Sequence, residues 1–256
     1  MSKIIAIVNQ KGGVGKTTTA VNLAAAVGIA GKKVLLVDAD PQGNSTSGFG
    51  INKREVVFSS YDLLIGSQKA KTATITTTFK NVDVIPANMD LAGAEVELIS
   101  IENREAQLKK ALSLVRGNYD YIFIDCPPSL GLITINALTA SDTVLVPVQC
   151  EYYAMEGLSQ LMSSVRSIKR LYNGVLELEG VVLTMFDGRL NLTHQVVGEL
   201  KKFFANKLYT TTIPRAVRLS EAPSYGMPIQ YYDKRSKGAK AYDELARELI
   251  KRNGGR

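Results

Sequence analysis

The stretch NQKGGVGKTTTAVN, residues Asn9–Asn22, contains a glycine-rich loop with two lysines, Lys11 and Lys16. In the ordinary P-loop, G-x-x-x-x-G-K-[ST], backbone N–H groups surround phosphate oxygens and the lysine reaches the terminal phosphates. The letters GKT match the second half of that pattern, but Gln10 stands where the first glycine belongs. The loop is therefore either an interrupted P-loop or a variant in which Lys11 has a role of its own.

The segments on either side of the loop favour a nucleotide site. The apolar run IIAIV precedes the loop at residues 4–8, and a strong helix-forming segment follows at residues 17–30. This order of strand, loop and helix is the context that a P-loop requires. The helix start presents N–H groups and a partial positive charge to phosphates, Lys16 can reach the β- and γ-oxygens, and Thr17 can offer its hydroxyl to Mg²⁺. The sequence therefore predicts ATP and Mg²⁺ as cofactors, rather than a glycine-rich turn with an exposed lysine.

Short continuous apolar runs recur along the chain, as is typical of strands buried on both faces of a parallel sheet. They are IIAIV at 4–8, VLLVD at 34–38, VDVIP at 82–86, YIFID at 121–125, TVLVPV at 143–148 and GVVLTM at 180–185. Helical periodicity occupies residues 17–30, 102–115, 154–171, 193–204 and 239–251, and TATITTT at 72–78 indicates a surface β segment. The alternation predicts a doubly wound α/β fold, a mostly parallel sheet flanked by helices, in a single domain spanning residues 1–256.

Composition argues against several classes of protein. No run of eighteen apolar residues is present, and no basic leader precedes the first apolar run, so we expect a cytoplasmic protein without a membrane span. Cys126 and Cys150 lack a C-x-x-C spacing, which argues against a disulfide framework or a zinc site and favours buried thiols. The 31 basic and 24 acidic residues give a net charge of +7. That excess favours polyanions as partners without identifying one.

Acidic residues follow two of the predicted strands. Asp125 ends YIFID, and Asp38 and Asp40 end VLLVDAD before Pro41 turns the chain away. The carboxyl ends of parallel strands meet at one edge of the sheet, where doubly wound folds bind ligands. Mg²⁺ needs anionic oxygens, and a carboxylate beside the γ-phosphate can orient or activate the attacking water. Such acids can also be solvated strand ends, but beside a P-loop they favour a magnesium nucleotide site.

With these residues in place, the chain resembles the deviant Walker A type of P-loop NTPase, whose signature K-G-G-x-G-K-[ST] matches residues 11–17. Within that superfamily it is most similar to the ParA/Soj chromosome and plasmid partitioning proteins, and the similarity extends nearly end to end. The motifs that carry it are KGGVGKTTTAVNLA, VLLVDADPQGN, DVIPANMDLAGAEVEL, YDYIFIDCPPSLGLITINAL, VPVQCEYYAMEGL and IPRAVRLSEAPSYG.

The resemblance implies an ATPase that is slow on its own and acts as a switch. It implies a homodimer that forms as a sandwich around ATP, non-specific binding of double-stranded DNA by that dimer, and stimulation of hydrolysis by DNA and a ParB/Spo0J-like partner. It also implies that the ATP-bound protein associates with the nucleoid.

The resemblance assigns catalytic roles to three residues. Lys11 is the signature lysine, which in that family crosses the dimer interface to contact the phosphates of the partner's ATP, while Lys16 serves its own nucleotide. Asp40 is the residue needed for hydrolysis. This assignment answers the question raised by the two lysines.

The resemblance also implies the ligand contacts. Thr17 and Asp125, the latter directly or through water, are the implied residues for Mg²⁺, with Asp38 as a further candidate. Glu151 is implied to contact nucleotide across the dimer, and Met185 and Pro214 to line the adenine pocket. The full implied ATP set is Lys11, Gly12, Gly13, Val14, Gly15, Lys16, Thr17, Thr18, Glu151, Met185 and Pro214.

Basic residues accumulate toward the C-terminus. Beyond residue 212, ten basic side chains stand against five acidic ones, a net +5. The ten are Arg215, Arg218, Lys234, Arg235, Lys237, Lys240, Arg247, Lys251, Arg252 and Arg256. Arg218, with Arg189 upstream, matches positions that contact DNA in Soj-like proteins. The sequence shows no base-reading module, so such contacts would be to phosphates and insensitive to sequence. The alternative is a solvated basic face.

Three rival classes share the nucleotide motifs. A MinD-like cell-division ATPase would anchor to membrane through a C-terminal amphipathic helix rich in bulky apolar residues. Here Leu245, Leu249 and Ile250 share one stripe, but the segment also contains three acids, which favours a helix packed on the domain. An iron-protein reductase would need two cysteines holding a cluster across a dimer axis, but Cys126 and Cys150 lie in partition-type motifs. An ATP-dependent ligase would need a substrate pocket of its own, which no residue indicates.

Overall fold

The computed structural model describes residues 2–152 and 154–254, and strands and helices alternate along them. The strands are β1 Lys3–Ile7, β2 Val34–Asp38, β3 Ile75–Thr76, β4 Val82–Ile85, β5 Tyr121–Asp125, β6 Thr143–Gln149, β7 Glu177–Phe186 and β8 Leu208–Pro214. The α-helices are α1 Lys16–Ile29, α2 Asn44–Gly48, α3 Ser60–Leu64, α4 Ala70–Ala73, α5 Leu91–Glu97, α6 Gln107–Ser113, α7 Leu132–Ala140, α8 Ala154–Leu171, α9 Asn191–Phe204, α10 Val217–Glu221, α11 Ile229–Tyr232 and α12 Lys237–Arg252. Short 3₁₀ helices occupy Leu98–Ser100, Arg104–Ala106, Arg116–Asn118 and Ala222–Tyr225.

The strands form one sheet in the order β3-β4-β2-β5-β1-β6-β7-β8. Every neighbouring pair is parallel except β3 with β4. Every residue of β2 and β5 is buried, because helices cover both faces of the sheet. Helices α1 and α12 pack on one face, and α6 to α9 pack on the other. The predicted doubly wound α/β fold is confirmed.

The topology brings the predicted site residues to one edge. Because the long strands are parallel, their carboxyl ends lie side by side. Along that edge, the segments after β2 and β5 carry the acidic residues, the P-loop follows the central strand β1, and the segments after β7 and β8 lie beyond it. Strand register sets Asp38 beside Asp125, and Ile7 beside Asp125. The P-loop therefore starts next to the acidic strand ends.

Short helices such as α5 and α7 were not predicted, and three further differences have a clear physical cause. The predicted helix at 102–115 is shorter, because Asn103 adopts a left-handed φ of 52° and a 3₁₀ turn precedes α6. The predicted β segment at 72–78 is mostly wrong, because Thr72 and Ala73 belong to α4 and only Ile75 and Thr76 form a strand. Strand β8, LYTTTIP, was not predicted, since three threonines replace the continuous apolar run of a central strand.

Helix α12 packs on the domain, as its sequence indicates. Leu245 and Leu249 are fully buried against the face formed by α1 and β8, and Ile250 is half-buried. Its N-terminus is capped by Ser236, whose hydroxyl accepts a hydrogen bond from the Ala239 N–H. In residues 2–152 and 154–254, no helix is long and apolar enough to cross a membrane.

Candidate functional site

The P-loop owes its shape to two glycines. Gly13 and Gly15 have φ values of 75° and 84°, in the left-handed region that side chains disfavour. Gly15 is the N-cap of α1, so the N–H groups that open this helix lack helical acceptors and face the loop. Lys16 is buried, and its Nζ donates to the Lys11 carbonyl at 3.0 Å. Burial lowers the pKa of the Lys16 ammonium, and the charges of Asp125 and Asp40 partly oppose that shift.

Two polar residues outside the GKT letters hold the loop. The Asn9 Oδ1 accepts from the Lys11 N–H at 3.0 Å, and its Nδ2 donates to the Pro147 carbonyl on β6 at 2.8 Å. Thr184, a buried residue of β7, donates its hydroxyl to the Val14 carbonyl at 2.8 Å. Neither residue was identified from the sequence. Asn9 lies next to the motif, whereas Thr184 lies inside an apolar strand with no local signal.

The two strand-end acids form a buried pair. Asp38 and Asp125 are both fully buried on neighbouring strands. Burial raises the pKa of Asp38 to about 6, against hydrogen bonds from Thr46. Burial, and then the charge of Asp38, raise the pKa of Asp125 to about 7. Burial thus disfavours the ionised form of both carboxylates, although the Lys16 ammonium lies close enough to Asp125 for their charges to interact.

Small hydroxyl residues in α2 position the acids differently. The Thr46 N–H and hydroxyl donate to Asp38 Oδ2 at 2.8 and 2.7 Å, and the Asp40 N–H donates to Oδ1 at 3.2 Å, so both Asp38 oxygens are used within the chain. Ser45 donates to Asp125 Oδ2 at 2.7 Å. Asp125 Oδ1 has no hydrogen-bond partner at ordinary geometry among the described residues. The Thr17 hydroxyl nevertheless lies close enough to lower the pKa of Asp125.

This donor set fits Mg²⁺. A buried carboxylate oxygen with no partner, next to a threonine hydroxyl on a helix N-terminus, supplies hard oxygen ligands. No group of three or more His, Cys, Asp or Glu side chains gathers around a potential metal position in the described part of the chain. Mg²⁺ commonly keeps several waters and takes phosphate oxygens as further ligands. Thr17 and Asp125 therefore suit a cation bound together with a nucleotide.

Asp40 lies two residues beyond the carboxyl end of β2, at the same edge of the sheet. Its side chain is mostly buried, and its Oδ1 accepts from the Gln42 N–H at 2.9 Å. The Asp40 carbonyl accepts from the Gly43 N–H at 2.8 Å, which closes a turn around the residue. The charge of Asp40 raises the pKa of both Lys16 and Asp125, so it acts on the phosphate loop and on the acid pair. This position suits a carboxylate that orients water near a terminal phosphate.

A cavity of about 220 Å³ lies on the other side of the P-loop. Its lining includes Gly15 and Thr18 from the loop and helix, Met185 from β7 and Pro214 from β8. Met185 has a φ of 49°, a strained value for a residue with a side chain, and pairing between β7 and β8 is irregular just there. Four larger cavities, of about 320, 560, 520 and 330 Å³, contain no P-loop residue. The smaller cavity has the position expected of a base pocket.

The comparisons with known proteins agree with this geometry. A family model described as an AAA domain matches residues 2–178. The sporulation initiation inhibitor protein Soj of Bacillus subtilis strain 168 is 60% identical over 249 residues, covering 97% of this chain and 98% of Soj. The chromosome-partitioning ATPase Soj of Treponema pallidum strain Nichols is 48% identical over 256 residues, covering 100% of both chains.

The chain belongs to the Soj/ParA family of chromosome-partitioning ATPases.

Solved structures show how far the fold is shared outside the Soj/ParA family. Cobyrinic acid a,c-diamide synthase of Mycobacterium smegmatis, with bound ADP and magnesium, has a TM-score of 0.86 and 36% identity, covering 99% of this chain and 96% of the synthase. The septum site-determining protein MinD of Pyrococcus horikoshii OT3, complexed with Mg-ADP, has a TM-score of 0.81 and 29% identity, covering 99% and 98%. The much higher identity to Soj confirms the predicted family, and the comparisons do not support the MinD alternative.

The signature lysine of this Soj/ParA chain is paired within its own subunit. Lys11 Nζ forms a salt bridge with the Glu151 carboxylate, which follows β6, and both side chains remain partly exposed. The Lys16 side chain is buried within the loop, whereas the Lys11 side chain projects to the surface. The two lysines therefore have the different environments that their different predicted roles require. Their contacts with a nucleotide remain predictions.

The two arginines that match DNA-contacting positions of the Soj/ParA family lie on the surface. The Arg189 side chain is 89% exposed and forms two hydrogen bonds to Asp187, with Nε–Oδ1 2.9 Å and Nη2–Oδ2 2.6 Å. These contacts lower the pKa of Asp187 to about 2. Arg218 Nη1 donates to Glu221 Oε2 at 2.9 Å, and its Nε lies 3.7 Å from Asp233 Oδ2. Each arginine is thus accessible but already holds a carboxylate. Arg256, another basic candidate, lies outside the described residues.

Proposed function

We propose that this chain is a single-domain partition switch, in which ATP joins two copies into a dimer, the dimer binds DNA without regard to sequence, and hydrolysis releases it. The chain is an ATPase of the Soj/ParA family, with ATP and Mg²⁺ as its cofactors. The observation that carries the proposal is the arrangement of the phosphate edge. A two-lysine P-loop lies beside the buried carboxylates Asp38 and Asp125, and the Asp125 Oδ1 has no hydrogen-bond partner among the described residues.

The residues of the phosphate edge have distinct tasks in ATP binding. The backbone N–H groups of residues 12–18 surround the phosphates, and Lys16 binds the β- and γ-oxygens. Thr17 and Asp125 hold Mg²⁺, which supplies charge neutralisation for the transferred phosphoryl group. Asp38 would not be a direct ligand of the cation, because both of its oxygens already accept hydrogen bonds from Thr46 and Asp40. Met185 and Pro214 line the adenine pocket, a role that the cavity beside the loop supports.

Hydrolysis needs a water in line with the γ-phosphate. Asp40 orients that water and accepts its proton as the phosphoryl group transfers, because its carboxylate lies near Lys16 at the mouth of the edge. Positioning and charge neutralisation supply most of the remaining acceleration in this type of reaction. We expect ATP hydrolysis by the wild-type protein alone to be slow, and DNA together with a ParB/Spo0J-like partner to raise the rate.

Dimerisation depends on Lys11. In the dimer, Lys11 leaves Glu151 and contacts the phosphates bound by the other subunit, while Glu151 contacts nucleotide across the interface. An exposed salt bridge stabilises by at most about 1 kcal/mol, so the phosphate charge of ATP is sufficient to compete with it. Assembly thus depends on the phosphates present.

DNA binding uses the exposed arginines. Arg189 and Arg218 contact backbone phosphates, and the basic C-terminal region adds to the attraction. Phosphate contacts carry no sequence information and weaken with salt, because binding releases counterions. The ATP-bound dimer would therefore associate with the nucleoid as a whole rather than with one sequence.

The test of the proposal is DNA retention by purified Asp40→Ala protein with ATP, with ADP and without nucleotide. Two duplexes of unrelated sequence are compared over a salt series. We expect salt-sensitive retention of both duplexes with ATP only, because the variant assembles but cannot release itself. Retention of one duplex only, or equal retention with ADP, would contradict the proposal.

A charge-matched pair of variants separates a specific arginine from general charge. Arg189→Glu and Lys109→Glu change the net charge by equal amounts, and Lys109 is an exposed residue of α6. In the Asp40→Ala background, Arg189→Glu should lower DNA affinity at least about tenfold, which corresponds to losing one charged hydrogen-bonded contact in each subunit. Lys109→Glu should lower it much less. Equal effects would assign Arg189 to a solvated basic face.

The role of Lys11 is tested by Lys11→Ala, with Lys109→Ala as the control. Sedimentation or size-exclusion measurements with ATP should show monomers for Lys11→Ala and dimers for the control. Nucleotide binding to the Lys11→Ala monomer should stay within about threefold of wild type, because Lys16 and the loop N–H groups remain. Full dimerisation of Lys11→Ala would contradict the trans-lysine role.

A further inference from the structure

Thr184 contacts the P-loop at two consecutive residues. Its hydroxyl donates to the Val14 carbonyl at 2.8 Å in a buried hydrogen bond that joins β7 to the loop. Its methyl group lies against Gly15, where an added Cβ would meet Thr184 Cγ2 at 3.7 Å. Both Thr184 and Val14 are buried, so neither group has water as an alternative partner. The hydrogen bond is therefore a specific constraint on the Val14–Gly15 peptide.

That peptide has a functional direction. In a planar trans peptide, the C=O of one residue and the N–H of the next point in opposite directions. Because the Val14 carbonyl points at Thr184, the Gly15 N–H points away from β7. The peptide joins Val14 to Gly15, and Gly15 has a positive φ that a glycine adopts at little steric cost, so rotation about the Gly15 φ can redirect its N–H. Loop sequence alone does not select one orientation of this peptide.

We propose that Thr184 is a positioning residue that sets the direction of the Gly15 N–H for the diphosphate of a bound nucleoside di- or triphosphate. This inference rests on the proposed nucleotide site and assigns it a residue from β7. P-loops bind phosphates through backbone N–H groups of this kind, so a misdirected peptide would lose one charge-assisted hydrogen bond. The same threonine lines the base cavity next to Met185, so it also joins the base pocket to the phosphate loop.

The test compares Thr184→Val with Thr184→Ser by calorimetric binding of Mg-ATP, Mg-ADP and Mg-GDP. Thr184→Val keeps the shape but loses the donor, and should weaken ATP and ADP binding about tenfold, since a buried carbonyl loses its partner and the peptide can rotate. Thr184→Ser keeps the donor and should stay within about threefold of wild type. The ratio of ADP to GDP affinity should not change in Thr184→Val, because the base contacts are retained.

The matched control is Thr139→Val. Thr139 is also a buried threonine, on α7, and its hydroxyl lacks a hydrogen-bond partner among the residues that the structure describes. The Thr139→Val protein should bind nucleotide with wild-type affinity. Melting without nucleotide is measured for each variant, and Thr184→Ala provides a second loss of the donor if Thr184→Val does not fold.

Several results would overturn the assignment. Unchanged ADP binding by Thr184→Val, or Thr184→Ser as weak as Thr184→Val, would show that the hydroxyl does not position the loop. A changed ADP to GDP ratio would make Thr184 a wall of the base pocket instead. A wild-type protein that fails to bind Mg-ADP would refute the nucleotide site itself, a different failure from that of Thr184.

Discussion

Buried carboxylates lie at both the amino and the carboxyl ends of the strands, here called the amino edge and the carboxyl edge of the sheet. Their surroundings shift the carboxylate pKa in opposite directions at the two edges. At the amino edge, Glu179 of β7 forms a 2.6 Å salt bridge with Lys3 and accepts hydrogen bonds from Thr143 and Asn253, both at 2.8 Å. Burial raises the pKa of Glu179, but these partners lower it more, so the net shift is downward. At the carboxyl edge, the pKa of Asp125 is raised to about 7, mainly by burial, and one of its oxygens lacks a partner within the described residues.

The difference separates structural acids from functional ones. A buried charge is costly unless the protein itself pairs it, and an unpaired one is retained where a ligand completes it. The Glu179 partners come from the chain ends and from two strand starts, so this cluster holds the fold together. The acids of the carboxyl edge leave room for a cation that arrives with the nucleotide. Exposure alone would not distinguish the two, because both carboxylates are buried.

The largest effect that this comparison predicts is on catalysis by Asp125→Asn. Hydrolysis should fall at least about 100-fold, because the amide is a poor ligand for Mg²⁺ and the transferred phosphoryl loses charge neutralisation. The free energy of unfolding without nucleotide should change by less than about 1 kcal/mol, since the replaced carboxyl is one that burial already disfavours in its charged form. Phosphate release and urea unfolding measure the two quantities. A large loss of stability with full activity would show that Asp125, like Glu179, is a structural acid and does not bind the cation.

Glu179→Gln should give the opposite pattern. The substitution removes the charge that pairs with Lys3, so the free energy of unfolding should fall by about 2 kcal/mol. Hydrolysis under conditions where the variant is folded should stay within about twofold of wild type, because the cluster lies at the other edge of the sheet. Urea unfolding and phosphate release at 25 °C test both statements. The comparison would break if the variant lost activity while keeping its stability.

The smallest expected effect concerns pH and Glu248 of α12. Burial raises the pKa of Glu248, but hydrogen bonds from Thr210 and Thr211 lower it to about 2, below its usual 4.5. Well above pH 4.5, the Glu248 carboxylate is ionised in both the folded and the unfolded protein, so its hydrogen bonds contribute their full stabilisation to the native state. As the pH falls below 4.5, the unfolded protein takes up a proton first, and the stabilisation is lost as the pH falls through about 2. The stability difference between wild type and Glu248→Gln should therefore be constant from pH 7 to 5 and shrink from pH 4.5 toward 2. A difference that grows on acidification would show that the sign is wrong.

Sequence-based reasoning predicted what local patterns record. The P-loop, the strand-end acids and the central strands follow from short motifs and apolar runs, and the structure brings Lys16, Asp40 and Asp125 to one edge as parallel strands require. The sequence pointed to Arg189 and Arg218 as DNA contacts but not to their carboxylate partners. Asp187 and Glu221 are local to them, whereas Asp233 lies fifteen residues from Arg218. Strand β8 and the broken helix before α6 were missed because their residues are polar or depend on one left-handed asparagine.

Local sequence encodes the chemistry available to this protein: a two-lysine phosphate loop, acids after strands and a chain of alternating strands and helices. Each motif and each element is encoded within about fifteen consecutive residues, because periodicity and motif spacing act over that length. Folding, in contrast, sets which acids are paired and which are not, brings Thr184 to the loop, and pairs Lys11 with Glu151 within one chain. The Thr184 and Lys11 contacts join residues more than a hundred positions apart, and the pairing of the acids depends on burial and on neighbouring strands, none of which a local pattern contains.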